Sequence, residues 1–366
     1  MRVTIVGGGI MGLSTAWGLS RMGHAVSVFE QGPLPNPLGS SVDQHRLIRY
    51  AYGSMTGYMR MVGEAFEAWD RMWQDLGQRL YEPTGTLVLD TTRDGWAQQS
   101  AEALAGFGLP VTWLSAGEVA ARFPQLETEG VTYAFHLESG GVLRAGAIVE
   151  ALASYLPSTG VRIVPNTRVD QVDTERARVT LASGARVEAD VVVVAGGAWA
   201  TTLLPSLAAR VTPSRQVVIY LAPPSDLEPQ WAGAPMVLDI APDAGFYLVP
   251  PIPGTGLKIG DHRFRLEGDP DEPRRASEQE THGLVELCRG RVRQLDRYTI
   301  AGTKVCFYTV EPEERFLVEA LGKAWVVSAC SGHAFKFGSV IGWRLAETID
   351  GKRDPWSLTR WAAGGA

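Results

Sequence analysis

The most restrictive feature of the chain is its opening stretch, MRVTIVGGGIMGLSTAWGLSRMGHAVSVFE. Arg2 to Val6 is an apolar run that ends abruptly in glycine and reads as a short buried strand. Gly7, Gly9 and Gly12 follow at the G-x-G-x-x-G spacing. Met11 to Met22 carries the small and apolar residues of a helix packed on a sheet. Gly23 ends that helix, and Ala25 to Phe29 is a second strand that delivers Glu30. The first glycine permits a tight turn, the second a close backbone approach to a pyrophosphate, and the third close helix–strand packing. Free N–H groups and the positive dipole end at the helix start attract phosphate. An acid at the end of the second strand accepts hydrogen bonds from ribose hydroxyls. A glycine pattern alone is often an ordinary turn. With a strand before it, a helix after it and the acid in place, it predicts a dinucleotide site. It does not say which dinucleotide.

A chain of 366 residues has room for two domains or one large composite domain. At 45% hydrophobic residues and a mean hydropathy of -0.02 it can bury a sizeable core. Its formal charge of -6 and the lack of a basic block give no footprint for nucleic acid. No apolar run reaches the roughly 20 residues needed to span a bilayer, and the apolar start belongs to the first strand, not to a signal peptide. Cys288, Cys306 and Cys330 have neither a disulfide pattern nor metal-ligand spacing. The expectation is a soluble cytoplasmic monomer with no metal, membrane or nucleic-acid partner.

The loop QGPLPNPLGSS must be irregular, and DQHRLIRYAYG after it is denser in charge and aromatics than a plain linker. A helix is expected over about Tyr58–Leu80, with Phe66, Trp69 and Trp73 on one face. Thr84–Leu89 reads as a strand. SAGE at Ser115–Glu118 is a capping box opening a short helix, and another helix begins near Ala145. Between Val161 and Gly197 the segments VRIV, RVTLA and VEADVVVVAGG return to parallel-sheet chemistry. From about Val211 to Val310 the runs QVVIYLAP, MVLDI, FYLVPP, LKIGDH and KVCFYTV, broken by Pro and Gly, predict an antiparallel sheet with one helix near Glu278–Arg293. KAWVVSA is a further strand, and SGHAFKFGSVIGWRLAETIDG opens a helix. The dinucleotide fold is therefore assembled from separated pieces: 1–80, 145–210 and 311–366. The stretches 81–144 and 211–310 form a second unit for substrate.

A chain that opens with the glycine turn, returns with VVVVAGG and closes with strand, SGH and helix resembles FAD oxidoreductases of the glutathione-reductase-like type. More narrowly, KVCFYTVEPEERF followed by ACSGHAFKFG resembles the monomeric sarcosine oxidase and N-methyltryptophan oxidase family. GSSVDQHRLIRYAYG and GLKIGDH match two further family segments in order, so the resemblance covers essentially the whole chain. It implies an α/β plus α+β fold: an FAD-binding Rossmann-like domain of the glutathione-reductase type with an inserted antiparallel-sheet substrate domain.

The resemblance also assigns residues. Gly7, Gly9, Ile10, Met11, Gly12, Glu30, Gln31, Ser40, Ser41, Arg46, Val169, Gly196, Gly197, Gly332, His333, Phe335 and Lys336 would contact FAD. Cys306 falls where the family attaches flavin covalently, through a thioether to the 8α-methyl carbon. The residues alone would make it a small buried hydrophobe. Cys330, immediately before SGH, is the rival thiol and reads as a packing residue. A helix start at Gly332, His333 and Lys336 would stabilise anionic reduced flavin by its dipole. Arg49 and Lys336 would hold the substrate carboxylate, for which an arginine fork is well suited. Lys258 matches the lysine that activates oxygen, a nearby cation lowering the cost of transient superoxide. A buried lysine needs such a role or a partner. His262 and Tyr247 match active-site positions. Asp261 departs from the aromatic residue common there, and Val42, Asp43 and Gln44 replace the paired histidines of sarcosine oxidase.

The reaction so implied is FAD-dependent oxidation of a small amino acid or amine, foremost a secondary amine. It gives an imine that hydrolyses, and reduces oxygen to hydrogen peroxide. N-methyl amino acids, cyclic imino acids and glycated or primary amino acids all fit a carboxylate clamp. A flavin dehydrogenase with a non-oxygen acceptor and a nicotinamide-dependent dehydrogenase are the competing readings.

Overall fold

The computed structural model describes residues 1–92, 95–241 and 245–365. The expected opening unit forms as written, with a strand Arg2–Val6, a helix Ile10–Arg21 and a strand Ala25–Phe29. These two strands lie at the heart of a six-stranded sheet, ordered Leu317–Leu321, Ala324–Ser328, Val191–Val194, Arg2–Val6, Ala25–Phe29, Arg162–Val164. Its pairings are parallel except for the hairpin that ends it, Leu317–Leu321 with Ala324–Ser328. Burial on both faces explains the unbroken apolar run of Val192, Val193 and Val194, all fully buried.

Helix Ile10–Arg21 packs against helix Gly338–Ile349 at very short range. A Cβ on Gly342 would lie 2.4 Å from the Ser14 carbonyl carbon, and one on Gly18 would lie 2.8 Å from Cβ of Ala346. Glycine at these positions lets the two backbones touch, which ties the first and last parts of the chain together.

The second sheet has eight strands, ordered Thr299–Val310, Thr212–Ala222, Leu257–Asp261, Phe246–Val249, Met236–Ile240, Thr86–Asp90, Tyr133–Leu137, Thr112–Leu114. It is antiparallel as expected, with one exception: Met236–Ile240 runs parallel to Thr86–Asp90. The two separated chain stretches meet there, and a long crossover leaves strand direction unconstrained by a hairpin. Side-chain alternation divides this sheet by chemistry. Val217, Ile219, Leu248, Ile259, Val305 and Phe307 belong to one apolar cluster that also holds Leu284 and Cys288 of helix Glu278–Cys288. Tyr220, Tyr247, Lys258, Cys306 and Tyr308 hold the alternate positions, so their side chains leave from the opposite face.

Several expectations need correction. RVTLA does not join the parallel sheet: Arg178–Leu181 is the middle strand of a separate antiparallel trio with Val169–Asp173 and Arg186–Glu188. Short turns at both ends allow only antiparallel pairing. The helix expected to reach Leu80 is Thr56–Leu76, stopped by Gly77 in the left-handed region at φ 67°. The strand at Thr84 begins at Thr86. The capping box is present, with Ser115 and Glu118 exchanging hydrogen bonds at the start of helix Ala116–Arg122. Gly332, His333 and Lys336 do not start a helix. Ala329, Ser331 and Gly332 have positive φ, a 3₁₀ turn covers Phe335–Phe337, and the α-helix begins only at Gly338, with a further helix Pro355–Ala362 after it.

Candidate active site

The glycine turn has the geometry its spacing requires. Gly7 has φ 109°, and a Cβ there would stand 2.3 Å from the Ala195 carbonyl oxygen. A Cβ on Gly12 would stand 1.9 Å from the Gly7 carbonyl oxygen, so helix and turn could not close. No side chain caps the helix at Gly9, although Ser41 accepts the Ile10 N–H at 3.0 Å. Glu30 is buried and works on the turn itself. Its carboxylate accepts from the Gly8 N–H at 2.7 Å, the Gly32 N–H at 3.1 Å and the Asn36 amide at 2.8 Å. A carboxylate has about four lone-pair sites, so one remains for a ribose hydroxyl.

A cavity of about 430 Å³ runs away from this turn. Its size falls in the ~300–1,000 Å³ range of small-molecule and cofactor sites. Gly7, Gly9, Ile10 and Met11 form its base, and Glu30 and Gln31 one wall. Ser40, Ser41 and Arg46 come from the loop after the second strand, and Val169, Gly196 and Gly197 close the opposite side. Gly332 and Phe335 line the far end, together with Tyr308 and Cys330. Of the expected cofactor residues, Gly12, Cys306, His333 and Lys336 do not line it. Gly12 acts through packing, as above. Cys306 is 2% exposed and lies on the strand beside Tyr308. Arg46, Lys258, Lys304 and Arg274 all stand within electrostatic reach of its sulfur. The rival Cys330 is half-buried, and its sulfur accepts the Thr309 N–H at 3.4 Å.

Beyond that far end the remaining residues form two groups. In the first, Lys336 is buried and donates to the Tyr52 hydroxyl and the His333 carbonyl, both at 2.8 Å. The Arg49 guanidinium lies over the Tyr52 ring, 4.5 Å from its centroid, and donates to the Ala51 carbonyl. Neither cation forms an ion pair among the described residues, though the Glu314 carboxyl lies within electrostatic reach of Arg49. Burial, and then the Arg49 charge, hold Lys336 well below the ordinary lysine range. Burial and Lys336 likewise keep the His333 ring neutral. Its Nε2 faces the Glu314 carbonyl at 3.1 Å and must donate, so Nδ1 accepts from the Tyr52 hydroxyl at 3.0 Å. The relay therefore has one direction: Lys336 Nζ–H, Tyr52 hydroxyl, His333 ring, Glu314 backbone. His262 also belongs here. It is exposed to solvent, but the protein around it, and then the Arg49 charge, lower its pKa to about 4. It stacks on Tyr247 at 6.0 Å, whose phenol is pushed up to about 12 by burial and is hydrogen-bonded to Tyr308.

The second group surrounds Lys258, which is fully buried in its strand. Its ammonium donates to Asp43 at 2.6 Å and to the His45 carbonyl at 3.2 Å. Burial and the Arg46 guanidinium work to lower the lysine pKa, while the Asp43 carboxylate works against them. Arg46 is held by Asp43 and by the Ser40 carbonyl at 2.7 Å.

A sequence profile describing FAD dependent oxidoreductases matches residues 2–348. The chain belongs to the FAD dependent oxidoreductase family. Within it, the chain is similar to the monomeric sarcosine oxidase of Arthrobacter sp. (strain TE1826), 27% identical over 96% of this chain and 93% of that protein. The N-methyl-L-tryptophan oxidase of Yersinia pestis (strain Pestoides F) is 26% identical over 92% of each. Among solved structures, NikD, an unusual amino acid oxidase in its open form, shares the fold with a TM-score of 0.82 at 22% identity over 99% of this chain and 96% of that one.

The oxidoreductase has a cavity that fits FAD on its own geometry. A cradle that any Cβ would fill sits at one end, a buried carboxylate with a lone-pair site to spare stands beside it, and the lining continues through Gly196 and Gly197 to Gly332. Three contributors carry no signal of their own in the sequence. Asn36 steadies Glu30, Tyr52 links Lys336 to His333, and Asp43 pairs with Lys258. Tyr52 and Asp43 lie in the segment already marked by its density of charge and aromatics. Nothing local distinguishes them, because their partners are over 200 residues away in the chain.

Proposed function

We propose that this flavoenzyme oxidises a small amino acid carrying a secondary amine, such as an N-methyl or cyclic amino acid, and releases hydrogen peroxide. The observation that carries the reading is the pair of buried basic groups, Arg49 and Lys336, close enough to depress the lysine pKa and without an ion-pair partner among the described residues. A substrate carboxylate would pair with the guanidinium and favour the ammonium form of the lysine, relieving the cost of both. Arg49 offers a planar fork and Lys336 its third N–H, the other two being committed to Tyr52 and His333. Neutral His262 and Tyr247 stand beside this clamp and would leave the amine uncharged on the reacting side. Bound FAD supplies the acceptor for a hydride equivalent and the route of electrons to oxygen. The imine product is hydrolysed by water. Positioning supplies much of the rate, since the cofactor carries the difficult chemistry.

The residues 1–80, 145–210 and 311–366 form the cofactor domain in this proposal, and 81–144 with 211–310 the substrate domain. Lys258 serves the oxygen step. Cys306 tethers the flavin as a thioether in this reading, supported by its place on the strand beside Tyr308, which lines the far end of the cavity. Cys306→Ser would then leave flavin extractable by acid, and flavin retained in denaturant would move the tether to Cys330. Unpaired Cys288, Cys306 and Cys330 suit a reducing compartment. We place the enzyme in the cytoplasm as a monomer, to be checked by fractionation and size-exclusion chromatography.

The deciding experiment is a screen of amino acids and amines for peroxide release from the yellow purified protein. Turnover of secondary amino acids, and loss of turnover when the carboxylate is removed from them, is the expected result. Equal turnover of the decarboxylated amines would overturn the clamp. Very slow reoxidation in air after anaerobic reduction would instead make the enzyme a dehydrogenase.

A further inference from the structure

Four polar side chains converge where the loop after the glycine turn meets the eight-stranded sheet. Asp43 and Lys258 are both 1% exposed. One Asp43 oxygen accepts from the Lys258 ammonium at 2.6 Å and faces the Arg46 guanidinium. The other accepts from the Tyr220 hydroxyl and from the Gln44 N–H at 2.8 Å. The carboxylate is thus saturated and rigidly held, and it is the sole carboxylate bonded to either cation among the described residues. The charge count is two positive groups against one negative. The other groups facing the pair add no anion to offset them. Cys306, within electrostatic reach of both cations, is an uncharged thioether in the reading this rests on. His45 is lowered to about 3 by burial and Lys258, so it is neutral, and burial keeps Tyr220, Tyr247 and Tyr308 protonated. Lys304, within electrostatic reach of Lys258, adds positive charge.

We propose that Asp43 is the positioning residue that keeps Lys258 protonated and pins its ammonium. The inference rests on the reading that Lys258 serves the oxygen step, which needs a fixed positive charge. Without Asp43, two cations would share a desolvated site. Arginine cannot give up its proton there, so the lysine must. Ammonium would become amine, and the cation would be lost to the oxygen step at ordinary pH. Nothing in the sequence near Asp43 announces this role. It follows from a contact across 215 residues of chain.

The test uses flavin-loaded wild type, Asp43→Asn, Lys258→Met and the double variant. Reoxidation of reduced enzyme in air, followed by stopped flow from about pH 6 to about pH 9, is expected to be flat for wild type. For Asp43→Asn it should approach the wild-type rate at the acid end and fall about tenfold per pH unit above the lowered lysine pKa. A second measurement needs no turnover. Urea unfolding of Asp43→Asn should gain stability with rising pH relative to the double variant. In that range the unfolded chain binds a proton at Lys258 that the folded variant does not. Wild type against Lys258→Met should show no such rise. Parallel unfolding profiles for Asp43→Asn and the double variant, or reoxidation of Asp43→Asn that is flat or uniformly faster than wild type, would overturn the proposal. If Lys258→Met reoxidises as fast as wild type, the oxygen role of Lys258 fails by itself. The unfolding comparison still decides what Asp43 does to the lysine proton.

Discussion

Replacing Lys336 by methionine keeps the length and apolar stem of the side chain and removes only its charge and donors. The ammonium has three N–H groups, of which two are committed to Tyr52 and His333 at 2.8 Å. In the proposed clamp the third would meet the substrate carboxylate, and Arg49 would still supply the other half. Loss of one hydrogen bond between charged groups is worth roughly 1.5–3 kcal/mol, or roughly a 10- to 150-fold rise in KM for an amino-acid substrate. The assay is peroxide release with the best secondary amino acid and with its decarboxylated amine. The amino acid should lose most of that factor, and the amine should lose little. Unfolding must be measured in parallel, because Tyr52 and the His333 carbonyl lose a buried partner at a cost of about 1–3 kcal/mol. The pH profile adds a sign. Burial and Arg49 depress the lysine pKa, so carboxylate binding is full on the acid side and weakens as pH rises through that value. Lys336→Arg keeps its charge and should move the alkaline limb upward. An equal loss for amino acid and amine, or no change for either, would refute the clamp.

Other perturbations bear on the cradle and the core. Gly12→Ala puts a methyl group 1.9 Å from the Gly7 carbonyl oxygen, so the turn must open. Purified protein should be largely colourless and destabilised by about 1–3 kcal/mol, read from the flavin-to-protein absorbance ratio and from urea unfolding. Glu30→Ala strips the partner from the Gly8 and Gly32 N–H groups. In a Cys306→Ser background, where the flavin is free to leave, its affinity should fall roughly tenfold or more, about 1.5 kcal/mol or above; a flavin content after dialysis equal to that of Cys306→Ser alone would count against the role. His45 is fully buried with a pKa near 3. Between the unfolded value of 6.5 and that pH the unfolded chain binds the extra proton, so stability falls as pH falls through this window, by up to about 1.4 kcal/mol per unit. His45→Gln should flatten that slope; parallel slopes would show that another group is responsible.

How much was legible follows from the range of each interaction. Helix Ile10–Arg21, the capped helix at Ser115 and the period-two strands of the second sheet depend on neighbours within a few residues, and their patterns stand in the sequence. The glycine cradle is legible for the same reason. The errors fall where pairing partners decide direction. RVTLA has the composition of a parallel strand, but its flanking turns send it into a meander. The parallel join of Met236–Ile240 to Thr86–Asp90 is set by strands about 150 residues apart, outside the reach of any local signal. The segment from Ser331 is expected to open a helix, yet Ala329, Ser331 and Gly332 are left-handed and the helix begins only at Gly338.

For the site, the sequence by itself determined the glycine cradle and the buried acid Glu30 that holds it, because these are carried by a short motif with its own local geometry; Arg49 and Lys336 were marked only by the family resemblance. The tertiary structure decided which charges meet. It set Lys336 against Tyr52 and His333, left Arg49 near it without an ion pair among the described residues, and buried Asp43 against Lys258. A buried charge takes its energy from whatever lies within a few ångströms, and those neighbours come from chain segments hundreds of residues apart. Composition can say that a lysine needs a partner; only the folded chain chooses Asp43.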